Sequence, residues 1–178
     1  LVHTRQKPSM MNWFSPVKYE LPPVLLVEDN KRQAELTAQV IRESGLYEVL
    51  VAHDGEEALE ILASHERGFD FLSNAISCIL LDWQMPNMSG DKFLRLLRQK
   101  EHKSPFKRHI PVIIITAYGD NHLRMLAEDS SLGMASAYIL KPFEESELLH
   151  SLKRVVYDRE AEIMRELLIE QRSRWLQE

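Results

Sequence analysis

The stretch VLLVEDN, residues 24–30, decides the fold class, because four apolar side chains run directly into two carboxylates. A short run of β-branched and aliphatic residues predicts a strand that is covered on both faces, as in a parallel sheet. Glu28 and Asp29 then stand side by side at the carboxyl end of that strand, where their mutual repulsion costs stability. The acidic pair therefore indicates a site at which something compensates the charge.

Further apolar runs predict the remaining strands of the sheet. Three of them are continuous, SCILL (77–81), PVIIIT (111–116) and SAYIL (136–140), whereas YEVLVA (47–52) alternates and suits a more exposed position. Helix-like stretches separate the strands: KRQAELTAQVIRES (31–44), GEEALEILASH (55–65), GDKFLRLLRQK (90–100) and DNHLRMLAEDSS (120–131). Asn30 is placed to cap the first helix and Gly45 to end it. This alternation predicts an α/β fold, a doubly wound five-stranded parallel sheet with right-handed crossovers.

Composition narrows the functional classes. The net charge of −5 with 28% charged residues gives no electrostatic reason to expect nucleic acid as a partner. Cys78 is the only cysteine, which excludes an internal disulfide and a cysteine-based metal cluster and favours the cytoplasm. No apolar run approaches the roughly 18 residues that span a bilayer, so we expect no membrane association. The seven histidines show no metal-ligand spacing and are interpreted as surface residues.

The strand ends carry the chemistry, because the functional crevice of such a sheet lies at the carboxyl ends of its strands. Glu28, Asp29 and Asp82 follow or end two of the predicted strands, Thr116 ends another, and Lys141 follows the last. Three carboxylates in one crevice either share protons or hold a cation, and an all-oxygen set suits Mg²⁺ better than zinc. An ammonium opposite them can pair with a carboxylate and, later, with a phosphoryl oxygen.

Four motifs in this order and spacing carry a family resemblance: LLVEDN, ILLDWQMPNMSG, IIITAYG and AYILKPF. They resemble the receiver domain of bacterial two-component response regulators, over about residues 23–150. The resemblance implies that a histidine kinase or phosphotransfer protein phosphorylates Asp82. It also implies that Glu28, Asp29, Asp82 and the backbone carbonyl of Gln84 bind Mg²⁺.

The same resemblance implies a conformational switch. Thr116 would bond the phosphoryl group, Lys141 would pair with it, and Tyr138 would turn inward on activation. The Lys141-Pro142 bond would be cis. No enzyme acting on an external substrate is expected, only a self-catalysed phosphoacceptor with slow autodephosphorylation.

Two other functions stay open at this point. One is a receiver-like interaction module that binds partners without phosphorylation, although such a module need not keep the acidic pair, Asp82, Thr116 and Lys141. The other is a Mg²⁺-dependent phosphatase that turns over an external phosphoester. A haloacid-dehalogenase-type site is excluded, because Gln84 stands where that site needs a second aspartate. The chain also contains neither a GxxxxGK[ST] phosphate loop nor a G-x-G-x-x-G turn.

The ends of the chain extend beyond this domain. We interpret residues 1–22 as an N-terminal extension or cloning remnant, 23–150 as the receiver domain and 151–178 as a C-terminal helical extension, either coiled coil or linker. Apolar side chains recur there at heptad spacing, interrupted by one glutamine: Tyr157, Ala161, Met164, Leu168, Gln171 and Trp175. This seam predicts parallel homodimerisation, or alternatively packing on the same chain or on an output domain.

Overall fold

The computed structural model of the chain describes residues 21–65, 76–103, 109–117 and 135–158. Five strands are present in these ranges: β1 (Pro23–Val27), β2 (Glu48–Ala52), β3 (Cys78–Asp82), β4 (Val112–Thr116) and β5 (Ala137–Leu140). The helices are α1 (Lys31–Glu43), α2 (Gly55–Ser64), α3 (Gly90–His102) and α4 (Glu145–Lys153), and a π-helical turn (Arg154–Asp158) continues α4. The predicted helix at 120–131 and most of the 66–77 connection lie outside the described residues.

All five strands are parallel and form one sheet in the order β2-β1-β3-β4-β5. The predicted fold class is therefore confirmed. The alternating run lies at one edge, in β2, where three of its five residues are only half-buried. The continuous runs of β1, β3 and β4 lie inside the sheet and are almost wholly buried.

The last strand differs from the prediction made from its apolar run. β5 is the second edge of the sheet, and Leu140 is 51% exposed there. A continuous apolar run predicts a strand that is covered on both faces, but β5 pairs only with β4 within the described residues, and two of its four residues are not fully buried. The run alone could not identify an edge position.

Polar caps define where the helices begin. Asn30 accepts hydrogen bonds from the backbone of Arg32 and Gln33 at the start of α1, as its position predicts. Asp54 and Ser89 cap α2 and α3 in the same way. Gly45 follows α1 with a φ of +67°, a conformation that glycine adopts without strain. Each cap lies in the connection that follows a strand end, so these helices begin at the end of the sheet that carries the acidic residues.

Two apolar layers cover the sheet. One joins α1 and α4 to β1 through buried residues such as Ala38, Leu148 and Val24. The other joins α2 and α3 to the opposite face, with Phe93 fully buried at its centre. The first layer continues into the π-helical turn, where Val155 and Val156 are buried. The predicted boundary at residue 150 thus falls inside a helix whose next residues still belong to the core.

No helix in the described ranges is long and apolar enough to cross a membrane. Residues 1–20 and 159–178 lie outside those ranges, and with them most of the predicted heptad seam.

Candidate functional site

The carboxyl ends of β1 and β3 bring three carboxylates together. Glu28 and Asp29 follow β1, and Asp82 is the last residue of the neighbouring β3. One oxygen from each side chain lies within 4.8 Å of the other two. Because Glu28 and Asp82 are only 4% and 7% exposed, water screens their repulsion poorly. We call Glu28, Asp29 and Asp82 the acidic cluster.

Lys141 supplies a positive charge to the acidic cluster from the β5 side of the sheet. Its Nζ donates to Oε2 of Glu28 at 2.7 Å and to Oδ2 of Asp82 at 2.8 Å. A longer contact of 3.3 Å reaches Oε1 of Gln33 in the first turn of α1. The backbone N–H of Lys141 donates to the carbonyl of Thr116 at 2.7 Å. One ammonium against three carboxylates still leaves the cluster negatively charged.

The environment of the cluster changes the proton affinity of two of its groups. Burial raises the pKa of Glu28; the hydrogen bond from Lys141 opposes this rise, and the charge of Asp82 adds to it. Burial alone would lower the pKa of Lys141, but the hydrogen bonds and charges of Asp82 and Glu28 outweigh it, so that pKa is raised. Lys141 therefore stays charged at neutral pH, and Glu28 holds a proton more readily than a free glutamate.

Thr116 ends the strand next to Asp82, the predicted phosphate acceptor, and Gln84 follows Asp82 by two residues. Thr116 ends β4 and is 1% exposed, and its neighbour Ile115 pairs with Asp82 in the sheet. The backbone N–H of Gln84 donates to Oδ1 of Asp82 at 3.1 Å, while the Gln84 side chain is exposed. Both carboxylate oxygens of Asp82 thus accept a hydrogen bond, one from Gln84 and one from Lys141. The Lys141-Pro142 bond is cis, as expected.

Tyr138 lies apart from the acidic cluster. It is half-buried in β5, pairs with Ile114 of β4 and packs against the apolar layer of α2 and α3. Burial raises the pKa of its hydroxyl. In the part of the chain that the structure describes, no hydrogen bond joins this hydroxyl to the cluster. Of the predicted site residues, the structure therefore brings Glu28, Asp29, Asp82 and Lys141 into one group and leaves Tyr138 outside it.

His53 and Gln33 border the site but were missed in the sequence. His53 directly follows β2, and its Nδ1 lies 3.3 Å from the backbone carbonyl of Glu28. The backbone N–H of Asn30 donates to Oε1 of Glu28 at 3.3 Å. The strand-end rule that selected the other residues would also have selected His53. No comparable signal marks Gln33, which reaches Lys141 only through the orientation of α1.

An apolar cavity of about 540 Å³ opens beside the site. It lies between α1 and the segment that joins β5 to α4, and Lys141 and Glu28 form part of its wall. Leu36, which is 56% exposed, and Phe143 supply much of its apolar surface. A macromolecule that reaches Asp82 from this side would meet an apolar surface before the charged group.

Comparison with known proteins identifies the family. A family model described as the response regulator receiver domain matches residues 24–153, most of the chain. This chain belongs to the response regulator receiver domain family. The resemblance in the four motifs is thereby confirmed.

Curated relatives of this receiver domain fall into several kinds of signalling protein. The transcriptional regulatory protein CpxR of Escherichia coli is 35% identical over 133 residues, which are 75% of this chain and 48% of CpxR. The chemotaxis protein CheY of Pseudomonas aeruginosa is 29% identical over 74% of this chain and 94% of its own length. The sensor kinase/phosphatase CqsS of Vibrio cholerae is 34% identical over 72% of this chain and 16% of its own length. The chain spans about half the length of CpxR.

Solved structures show the same architecture. The response regulator protein TrrA of Thermotoga maritima, in complex with Mg²⁺-BeF, is 27% identical with a TM-score of 0.57 and covers 76% of this chain and 99% of that one. A putative response regulator from Chloroflexus aurantiacus is 28% identical with a TM-score of 0.62, covering 77% of this chain and 98% of that one. The fold and the family therefore rest on independent observations.

Proposed function

We propose that this receiver domain accepts a phosphoryl group on Asp82 from a histidine kinase or phosphotransfer protein, in a reaction that needs Mg²⁺. The observation that supports this most strongly is the position of Asp82. Its carboxylate lies between an ammonium, that of Lys141, and two further carboxylates, those of Glu28 and Asp29. A carboxylate held in this way is an oxygen nucleophile. Lys141 can stabilise an incoming phosphoryl group directly, and Glu28 and Asp29 can hold a cation that does the same.

The donor set fits magnesium. Glu28, Asp29 and Asp82 offer oxygen atoms within 4.8 Å of one another, and oxygen ligands are those that Mg²⁺ prefers. The backbone carbonyl of Gln84 is the fourth protein ligand that we propose. When bound, the ion would neutralise charge on the phosphoryl oxygens and on the cluster.

The chain's own residues carry the rest of the chemistry. An oxygen of Asp82 forms the bond to phosphorus, the bond from phosphorus to the donor's imidazole nitrogen breaks, and that nitrogen keeps the electron pair. Lys141, already 2.8 Å from Asp82, balances the negative charge that the phosphoryl group adds. Thr116 supplies a hydroxyl donor from the end of β4, the strand next to Asp82.

The product changes the local charge and so drives the switch that we propose. A phosphoryl group adds about 1.5–2 negative charges at one strand end. Movement of Thr116 toward the new oxygens would vacate space on the β4–β5 side, into which Tyr138 could turn. Tyr138 is half-buried, so it has both a solvent-facing position to leave and an apolar layer to enter. The surface around β5 would then differ between the two states.

The partner approaches from the cavity side in this proposal. Among the relatives, CqsS and the sensor histidine kinase TmoS of Ectopseudomonas mendocina are named as kinases and contain a matching receiver segment. The cavity beside Lys141 offers an apolar surface next to Asp82 on which a donor protein can dock.

We place the reaction in the cytoplasm. The homodimer through residues 151–178 stays a proposal, and a sedimentation coefficient that remains monomeric with and without phosphorylation would contradict it.

Intact-mass spectrometry tests the function. The protein is incubated with Mg²⁺ and a small acyl phosphate, beside Asp82→Asn and, as a matched control, Asp91→Asn, which alters an exposed ion pair on α3. We expect one phosphoryl group on the wild type and on Asp91→Asn, and none on Asp82→Asn or without Mg²⁺. If Asp82→Asn gains the same mass as the wild type, Asp82 is not the acceptor. If no variant gains mass from either an acyl phosphate or a phosphorylated kinase, the constitutive interaction module becomes the better account.

A further inference from the structure

A buried ion pair organises the corner between α3 and β4, at the amino end of the strands and so at the opposite end of the sheet from the Asp82 carboxylate. Arg98 and Glu101 are 5% and 7% exposed, and Arg98 Nη1 donates to Oε2 of Glu101 at 2.7 Å. The same nitrogen donates to the carbonyl of Ile110 at 3.0 Å, while Oε1 of Glu101 accepts from the N–H of Ile110 at 2.8 Å. The two side chains thus bind both backbone groups of the residue before β4, which fixes the Glu101 carboxylate in place.

Two histidines meet beside this fixed carboxylate. His102 is the last residue of α3, and His109 precedes Ile110. Their ring centroids lie 5.2 Å apart with the ring planes at 89°. Nδ1 of His109 faces Oε2 of Glu101 at 3.8 Å, and the His109 side chain is 40% exposed. In the described ranges, neither nitrogen of the exposed His102 ring has a hydrogen-bond partner.

This arrangement matches the environment of a metal-binding histidine. Such a histidine commonly directs one ring nitrogen at a carboxylate, which orients the ring and leaves the other nitrogen for the ion. Here Glu101 is the carboxylate, its own charge is balanced by Arg98, and the Nε2 edge of His109 is left for a ligand. When two imidazoles bind the same zinc ion in a tetrahedral site, each with a Zn–N distance of about 2.0–2.1 Å, their ring centres lie about 5 Å apart. The observed spacing of 5.2 Å matches this distance between ring centres.

We propose that His102 and His109 form a surface site for a late transition-metal ion such as Zn²⁺, with Glu101 orienting His109 from behind. Imidazole nitrogens prefer such ions to Mg²⁺, so the two sites of the domain differ in chemistry as well as in place. The carboxyl end of α3, with its partial negative charge, lies at His102 and favours a cation there. The bound ion would tie the end of α3 to the start of β4. This site goes beyond the phosphoacceptor function and does not depend on it.

Calorimetric titration with Zn²⁺ tests the site in the full chain. Excess Mg²⁺ is present throughout to occupy the acidic cluster. His102→Ala and His109→Ala are compared with His150→Ala, which removes an exposed histidine on α4, and with Asp82→Asn. We expect each of the first two variants to weaken Zn²⁺ binding by at least about tenfold, since even losing an orienting group costs about 10–100-fold. His150→Ala and Asp82→Asn should bind as the wild type does.

A spectroscopic measurement on the unmutated protein keeps the test independent of folding. The nitrogen chemical shifts of the histidine rings are followed by NMR while Zn²⁺ is added. We expect the shift of one ring nitrogen of His102 and of one ring nitrogen of His109 to change first, and at the same Zn²⁺ concentration. The proposal is overturned if the wild type does not bind Zn²⁺, if His102→Ala and His109→Ala bind it as tightly as the wild type, or if other histidines shift first.

Discussion

Replacing Lys141 by methionine should destabilise the domain in a way that Mg²⁺ reverses. At an effective dielectric constant of about 20, each contact of Nζ with Glu28 and Asp82 contributes roughly 6 kcal/mol of gross attraction before desolvation and repulsion are counted. Removing one partner of a buried ion pair typically costs about 3–5 kcal/mol. We expect Lys141→Met to lower the free energy of unfolding by about 3 kcal/mol. This is the low end of that range, because the Lys141 side chain keeps 20% exposure and Glu28 can take up a proton.

Urea denaturation monitored by circular dichroism measures this effect. With a slope of about 2 kcal/mol per molar, a loss of 3 kcal/mol lowers the unfolding midpoint by about 1.5 M in the presence of EDTA. Adding Mg²⁺ should stabilise Lys141→Met more than the wild type, because the ion then supplies the positive charge that the carboxylates have lost. Lys153→Met, which removes an exposed lysine of α4, serves as the control and should leave the midpoint unchanged.

Two results would refute this reasoning. One is a Lys141→Met midpoint equal to that of the wild type in EDTA, which would mean that the short contacts contribute no net stability. The other is an equal Mg²⁺ effect on both proteins, which would mean that the ion does not bind at the acidic cluster.

Three further predictions concern other parts of the domain. Among the residues that the structure describes, the buried hydroxyl of Tyr47 has no hydrogen-bond partner, so Tyr47→Phe should raise the melting temperature by about 2–4 °C. The Tyr157 hydroxyl donates to a backbone carbonyl at 2.9 Å, so Tyr157→Phe should lower the melting temperature by a similar amount; calorimetric scans that move both variants in the same direction would contradict the assignment. Because the pKa of Glu28 is raised, protons should compete with Mg²⁺ for this carboxylate at pH values above the ordinary glutamate pKa of 4.5, so the Mg²⁺ affinity measured by titration should already fall as the pH is lowered toward 4.5. A Mg²⁺ affinity that stays constant down to pH 4.5 would exclude Glu28 as a ligand. A β-carbon on Gly90 would meet the Cα of Trp83 at 2.9 Å, so Gly90→Ala should cost about 1–3 kcal/mol in urea denaturation, and wild-type stability would show that this loop can relax.

The strand-end rule explains how much of the site could be predicted from the sequence. Parallel strands carry their carboxyl ends to one edge, so Glu28, Asp29, Asp82 and Lys141 were selected without any distance information. The fold class followed from the same alternation of strands and helices. His53 directly follows β2 and fits the same rule, although the sequence analysis did not select it.

Other features depend on contacts that no local pattern records. Arg98 and Glu101 are charged residues of α3, yet both are buried, because they bind the backbone groups of Ile110 where β4 begins. The proximity of His102 and His109 comes from the same corner: six residues separate them in the sequence, and their rings are in contact in space. Contacts between distant parts of the chain therefore decide which charged residues are buried, and the periodicity of the sequence does not record those contacts.

The most direct test of the central claim is to locate the phosphoryl group on the chain. The protein is treated with an acyl phosphate and Mg²⁺, reduced with borohydride, which converts a phosphorylated aspartate to homoserine, and then analysed by peptide mass spectrometry. We expect homoserine at position 82 alone, and none when Mg²⁺ is withheld. Homoserine at Asp29 or at any other aspartate, with an unmodified Asp82, would contradict the account.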